Sequence, residues 1–210
     1  MTSQLVVLRH GQSAWNLENR FTGFRDVELT DEGCEEARQA GRRIAEAGVS
    51  FDIVFTSTLK RAIDTAEIAL EAAGQTRLFE NIIRDDALCE RDYGDLTGQN
   101  KDEARAQFGE EQVHIWRRSF DVPPPGGESL KDVLENRVRP YYEQAIEPEL
   151  EQGRDVFIVA HGNSLRAMLL ILGDQTPDTI NDAELPTGVP LVFELDNGAI
   201  EKRYFLRDEE

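Results

Sequence analysis

Leu5-Val-Val-Leu-Arg-His-Gly11 is four apolar residues followed by a cation, an imidazole and a glycine. Val6 and Val7 are β-branched and no polar residue interrupts the run, so it reads as a short strand buried on both faces. The same pattern returns at Asp155-Val-Phe-Ile-Val-Ala160, again followed by a histidine and a glycine, His161 and Gly162. In open α/β sheets, ligands bind beyond the carboxyl ends of the strands. Two of the three histidines in the chain therefore stand where a site is expected.

Outward from these runs, strand and helix patterns alternate. Thr30 is placed to cap a helix with Asp31 and Glu32 in its first turn, where negative charge suits the helix dipole. Ala37, Gly41 and Ile44 share one face of it, and Gly48 suits the position after its end. Phe51 to Phe55 is the next strand. Ser57 or Thr58 is expected to cap a helix with the stripe Ala62, Ala66, Ala69 and Ala73, closed by Gly74. Leu78 to Ile83 reads as another strand, 85–100 as turns, and Glu110 to Phe120 as helix. Asp121-Val-Pro-Pro-Pro-Gly-Gly127 cannot continue a helix. Ser129 and Asp132 resemble a capping box opening a long helix through Val133, Val138 and Tyr142, with Pro140 a point of kinking. Ser164 to Leu172 is a short helix. Leu191 to Leu195 and Ala199 to Leu206 flank Asp196-Asn197-Gly198 as a closing hairpin. The alternation predicts an α/β fold with a mostly parallel sheet, in a single domain spanning residues 1–210.

Composition narrows the function. The 210 residues hold 23 Lys plus Arg against 41 Asp plus Glu, a formal charge of −18, and 40% of them are hydrophobic, enough for a real core. Such acidity argues against nucleic acid or an anionic membrane as partner. No apolar run is long enough for a membrane span, and the N-terminal segment does not read as a signal peptide. Cys34 and Cys89 make neither a disulfide framework nor a metal spacing, so a cytoplasmic setting is expected. Only Lys60, Lys101, Lys131 and Lys202 are lysines. Abundant acid with scarce lysine fits either a salt-rich cytoplasm or simple solubility. The same charge seems at first to exclude an anionic substrate, a tension that must be settled locally.

The motifs settle it. Arg9-His10-Gly11-Gln12-Ser13 with Asn16, then Phe21-Thr22-Gly23-Phe24, begin an ordered series. It continues through Thr56-Ser57 with Lys60-Arg61-Ala62, then Glu90-Arg91-Asp92-Tyr93-Gly94 with Gly98 and Asn100-Lys101. Trp116-Arg117-Arg118, Pro124 to Leu130, His161-Gly162-Asn163 to Arg166 and Pro186 to Pro190 complete it. This series resembles the histidine phosphatase superfamily and, within it, the branch of cofactor-dependent phosphoglycerate mutases. The resemblance runs from about residue 4 to 206. It implies a three-layer α/β/α sandwich and a phosphohistidine formed on His10. It further implies interconversion of 3-phosphoglycerate and 2-phosphoglycerate in glycolysis and gluconeogenesis, an isomerase reaction. 2,3-Bisphosphoglycerate would prime His10, no metal would be needed, and the chain would form a homodimer or homotetramer.

Elementary chemistry agrees. A neutral imidazole can attack phosphorus and carry the phosphoryl group. Transfer then needs positive charge around the equatorial oxygens. Arg9, Arg61 and His161 are the candidates, arginine because its planar fork binds phosphate bidentately. Glu90 is the matched acid/base carboxylate. Arg91, Tyr93, Lys101, Arg117 and Arg118 would hold the substrate carboxylate and remote phosphate, Asn16, Thr22, Gly23 and Asn163 would donate hydrogen bonds, and Gly11 and Gly162 would let the backbone come close. The adjacent charges of Arg117 and Arg118 are easier to justify with an anion beside them. His114 matches no motif and reads as structural.

Some features depart from the pattern. The stretch between Phe120 and Gly126 is short, and the chain stops soon after Leu206, where the longer enzymes carry a tail that closes the site. Cys89 and Asp92 stand where other residues are more usual. The same motifs also fit a broad-specificity histidine phosphatase or a bisphosphoglycerate mutase/phosphatase. A non-catalytic scaffold is expected to lose His10, Arg61 or His161, and all three are present. The expected arrangement is a basic pocket inside an acidic shell, the acidity lying on helix faces and in the C-terminal tail.

Overall fold

The structure, a computed structural model, describes residues 2–207. The acidic tail residues Asp208, Glu209 and Glu210 lie outside this range.

Six strands form one sheet in the order β3-β2-β4-β1-β5-β6. Their ranges are β1 Thr2–Arg9, β2 Ile53–Thr56, β3 Ile83–Arg84, β4 Val156–Ala160, β5 Leu191–Asp196 and β6 Ala199–Phe205. β3, β2, β4 and β1 pair in parallel, while β5 and β6 add antiparallel at the β1 side. The sheet is thus mostly parallel, with the closing hairpin at one edge.

Alternating side chains of the central strands divide the core in two. Leu5 and Val7 of β1, with Val156, Ile158 and Ala160 of β4, face one cluster. Val6 and Leu8, with Phe157 and Val159, face the other. The second cluster is closed by α2 (Asp31–Glu46) and α3 (Lys60–Ala72), which follow the short α1 (Ala14–Leu17). The first is closed by α6, the helical run over residues 130–151, and by α7 (Gly162–Ile171). This is the three-layer sandwich. Uninterrupted apolar runs at β1 and β4 follow from it, because strands covered on both sides have no wet face.

Gly41 sets the approach of α2 to α3. A Cβ added there would lie 2.2 Å from the carbonyl oxygen of Ala69, so only glycine permits this spacing. The alanine stripe on α3 is the other half of the contact, with Ala62, Ala66 and Ala69 fully buried.

Three expectations change. Residues 78–83 are not a strand: Thr76–Asn81 is a 3₁₀ helix, and only Ile83–Arg84 pairs with Phe55 and Thr56. The apolar residues there pack from helical turns against the second cluster instead. Neither Ser57 nor Thr58 caps α3. Leu59 holds the cap position without a side-chain bond. Pro140 does not simply kink its helix. Widened, π-type turns at Leu134–Val138 and Tyr142–Ile146 precede Pro140 and Pro148 respectively. A proline lacks the N–H and crowds the preceding turn, and the widening absorbs both. The Ser129–Asp132 capping box is present, as are Thr30 at the start of α2 and Gly48 and Gly74 at positive φ after α2 and α3.

A small third cluster, Phe21, Leu96, Ala104 and Val113, with Tyr93 and Trp116 packed against it, carries α4 (Lys101–Phe108) and α5 (Glu110–Arg118).

Candidate active site

Strand register places the two histidines. Arg9 at the end of β1 pairs with Ala160 at the end of β4, and the His10 amide donates to the Ala160 carbonyl at 3.0 Å. The next residues, His10 and His161, are therefore neighbours, with ring centroids 4.9 Å apart. Both are buried. Gly11 lets the chain turn away at once. A Cβ on it would lie 2.2 Å from the Gly33 carbonyl oxygen, at the start of α2.

The hydrogen bonds of His10 define its tautomer. Its Nδ1 lies 2.7 Å from the Gly11 carbonyl oxygen, which can only accept, so Nδ1 carries the proton. Nε2 keeps its lone pair and receives the Arg61 Nε–H at 3.3 Å. Burial, then the charges of Arg61 and Arg9, hold the imidazole well below its usual titration range. His10 is a neutral ring with an unprotonated Nε2 that Arg61 orients, the state a nucleophile needs. His161 is also held neutral, by burial first and then by Arg61, His10 and Arg9.

Arg61 is anchored by its fork. Nη1 donates to the Arg25 carbonyl at 2.7 Å and Nη2 to the Gly23 carbonyl at 2.9 Å. Arg9 donates to the Leu185 carbonyl at 3.1 Å, but its Nε is buried without a partner. The Nδ1 of His161 is likewise buried and unpartnered. Buried donors left open beside a nucleophile await a ligand's acceptors.

Glu90 has a one-sided environment. Its Oε1 receives the Arg91 amide at 2.7 Å, the Asn163 amide at 3.1 Å and the Asn163 side-chain amide at 2.9 Å. Burial pushes its pKa up, yet these donors, with Arg9 and Arg61, bring the net position below the ordinary carboxylate value. Glu90 rests ionised, with Oε2 holding no hydrogen bond among the described residues.

Arg9, His10, Arg61 and Glu90 line a cavity of about 140 Å³, while His161 is fully buried behind its wall, against His10. Arg9, Arg20, Arg61, Lys101, Arg117, Arg118 and Arg166 face it, and among the described residues Glu90 is the only carboxylate that does. His10, Asn16, Thr22, Tyr93, Gly162 and Asn163 complete the expected lining. Burial, and then Arg117 and Arg9, push the Lys101 ammonium down to about 8. The acidic shell and the basic pocket thus coexist. A neighbouring group in the fold, not the net charge, sets what this cavity attracts.

Some expected residues lie elsewhere. Arg91 is fully buried and does not line the cavity. It donates to the Trp116 and Arg117 carbonyls at 3.0 and 3.3 Å and stacks over Tyr93, so it holds the end of α5 in place. Gly23 takes part through its carbonyl, as an acceptor for Arg61. His114 is exposed on α5, not packed in the core.

Other residues escaped the reading. Arg20 and Arg166 line the cavity, and nothing in an arginine alone marks it as a ligand. Arg137, in the first widened turn, donates to the carbonyls of Asp86, Ala87, Cys89 and Glu90 and bidentately to Glu128. It ties down the loop that carries Glu90. Its helical position beside a proline was the one available signal.

Residues 5–205 match the sequence profile of the histidine phosphatase superfamily (branch 1). The chain belongs to that superfamily. This histidine phosphatase fold is shared with Bacillus stearothermophilus YhfR, at a TM-score of 0.79 and 29% identity over 95% of this chain and 94% of that one. A mycobacterial glucosyl-3-phosphoglycerate phosphatase is similar at a TM-score of 0.77 and 29% identity, over 91% and 92% of the two chains. A Brucella anthropi protein named 2,3-bisphosphoglycerate-dependent phosphoglycerate mutase is 56% identical over 195 residues, 93% of each chain. Among the described residues, no helix of this chain is long and apolar enough to cross a membrane.

Proposed function

We propose that this chain is an isomerase that interconverts 3-phosphoglycerate and 2-phosphoglycerate, the step shared by glycolysis and gluconeogenesis. The observation that carries the reading is the charge inventory of the cavity. Among the described residues seven cations surround one carboxylate, in two groups. Arg9, Arg61 and Arg166 lie at or just after the ends of β1, β2 and β4. Lys101, Arg117 and Arg118 belong to the 101–118 segment, and Arg20 bridges to Asn100 beside that segment. A substrate with a phosphate and a carboxylate uses both. Similarity to mutases at 56% identity supports the same reading.

The donor set fits 2,3-bisphosphoglycerate, because the open Nε of Arg9 and Nδ1 of His161 stand beside His10 and the other cations lie along the same cavity. When bound, the bisphosphoglycerate supplies the phosphoryl group that first occupies His10. His10 then offers that group to the substrate hydroxyl. Glu90 takes the hydroxyl proton on Oε2 as the oxygen–phosphorus bond forms and the His10 Nε2–phosphorus bond breaks. For the return step Nε2 attacks the other phosphoryl group, and Glu90 gives its proton back to the departing oxygen. Arg9, Arg61 and His161 surround the transferring group, with Asn16, Thr22 and Asn163 as hydrogen-bond donors. Arg20, Lys101, Arg117 and Arg118 hold the end that does not react. The proposed setting is a cytoplasmic homodimer or homotetramer, a single domain that works without a metal.

One coupled assay tests this. Conversion of 3-phosphoglycerate should need catalytic amounts of 2,3-bisphosphoglycerate, and acid-quench labelling should find acid-labile phosphate on His10. Faster hydrolysis of p-nitrophenyl phosphate than mutase turnover would instead identify a phosphatase. Absence of label on His10 would falsify the phosphohistidine route.

A further inference from the structure

Ser57 sits immediately after β2, where Thr56 pairs with Val159 of β4. This brings a third strand end beside the two that carry His10 and His161. Ser57 and His161 are both fully buried. Their Oγ and Nε2 atoms lie 2.7 Å apart. The Leu59 amide, which can only donate, gives its proton to the same Oγ at 3.2 Å.

The proton count then has two solutions. In the first, His161 carries its proton on Nε2 and donates to Ser57. The serine hydroxyl proton then has no acceptor among the described residues, and the lone pair on Nδ1 has no donor. Two buried groups are left unsatisfied, and each forfeits its solvation without a hydrogen bond in return. In the second, Ser57 donates to Nε2 and the imidazole proton sits on Nδ1. Ser57 is then fully used, receiving from Leu59 and giving to His161. The single open group is Nδ1–H, the atom that is buried without a partner. A phosphoryl oxygen can only accept, so it completes the second arrangement and repels the lone pair of the first.

The geometry points to Ser57 as a positioning residue that holds His161 in its Nδ1–H tautomer, so that a neutral ring presents a donor to the phosphoryl group carried on His10. This rests on the phosphoryl-transfer reading above. The hydroxyl has left helix capping for this task, which is why α3 begins without a side-chain cap.

The test reads the tautomer directly. The chain has three histidines, so long-range proton–nitrogen correlation spectra of ¹⁵N-histidine-labelled protein are assignable with His114→Gln. The native protein should show His161 protonated on Nδ1, and that proton's resonance should move when inorganic phosphate is added. Ser57→Ala should transfer the proton to Nε2, in part or in full, while the His10 signals keep their positions. Its kcat should fall about 10–100-fold, as for other residues that orient a catalytic histidine, with KM changed far less. Ser57→Thr, which keeps the hydroxyl, should restore both tautomer and kcat. A native His161 protonated on Nε2, or an unchanged tautomer in Ser57→Ala, overturns the proposal. The spectra do not depend on turnover, so this failure is separate from a failure of His10 to take up phosphate, which overturns the mutase reading.

Discussion

Asn163 gives both its backbone and its side-chain amide to the same oxygen of Glu90, Oε1. The other oxygen is left for the reaction. The pair thus divides one carboxylate into a held end and a working end, and the held end keeps the group ionised. Removing the side-chain donor with Asn163→Ala should raise the Glu90 pKa. The acid limb of the kcat/KM profile, where Glu90 becomes protonated, should then move to higher pH. Activity at neutral pH should fall about 10–100-fold, the cost of one charge-assisted bond. Glu90→Gln, which removes the base, should cost about 10²–10⁴-fold. A pH–rate profile of each variant checks this.

Lys101 provides a different pH signal. Its ammonium titrates near 8, lowered by burial and by Arg117. Below that value it is charged and binds an anion; above it the charge is lost. KM for phosphoglycerate should therefore rise as pH passes through 8, with kcat little changed. The substrate phosphate is already fully ionised there, since its second proton leaves at about pH 6. Lys101→Gln should show the higher KM at every pH and no step near 8.

Arg137 connects packing to chemistry. Its guanidinium holds four carbonyls of the 86–90 loop and the Glu128 carboxylate, which also receives the Asp92 amide at 2.9 Å. Arg137→Lys keeps the charge but cannot span these partners. It should lower kcat about tenfold or more while leaving KM near native, because Glu90 moves and the cations of α5 do not. Thermal melts should show a parallel loss of about 1–3 kcal/mol.

Gly41→Ala sets two effects against each other. Alanine gains about 1 kcal/mol of helix propensity over glycine. Its Cβ, however, would lie 2.2 Å from the Ala69 carbonyl oxygen and 2.7 Å from the Ala72 Cβ. Forcing α2 from α3 costs about 1–3 kcal/mol by overpacking. A lower urea midpoint with an unchanged m-value is the expected outcome.

Salt should act in opposite directions on stability and binding. The chain carries a formal charge of −18, and screening relieves its self-repulsion. The melting temperature should rise with potassium chloride. KM for the anionic substrate should rise too, because the same ions screen the basic pocket. Paired melts and kinetics over one salt series test both signs.

Much of this was legible from residue order. β1 and β4 were readable because a strand covered on both faces must be apolar throughout, and their histidines because each followed such a run. The Thr30 and Ser129 caps were readable because they are local. What failed was the segment where local pattern and tertiary packing disagree. Leu78, Phe79, Ile82 and Ile83 look like a strand, yet Leu78 and Phe79 pack from a 3₁₀ helix, Ile82 follows it, and only Ile83 is in a strand. Arg91 was misplaced for a related reason. The motif marks it as important, but only the fold shows that it grips α5 and does not face the cavity. Ser57 looked like a helix cap, and its partner 104 positions away could not be read from its neighbours. Arg20 and Arg137 were hidden among nineteen arginines of equal local appearance, and Arg166, though it closes the His161 motif, carries no local mark of a ligand.

The register of β2, β4 and β1 has a mechanical meaning. Thr56, Val159, Ala160 and Arg9 are locked by adjacent ladders, and Ser57, His161 and His10 are the residues those ladders release. The sheet therefore works as an indexing device. A slip of one residue in either ladder would turn a reacting side chain to the opposite face. The alignment of hydroxyl, imidazole and imidazole is inherited from the stiffest part of the molecule, so loops around the mouth are free to vary or move without detuning it.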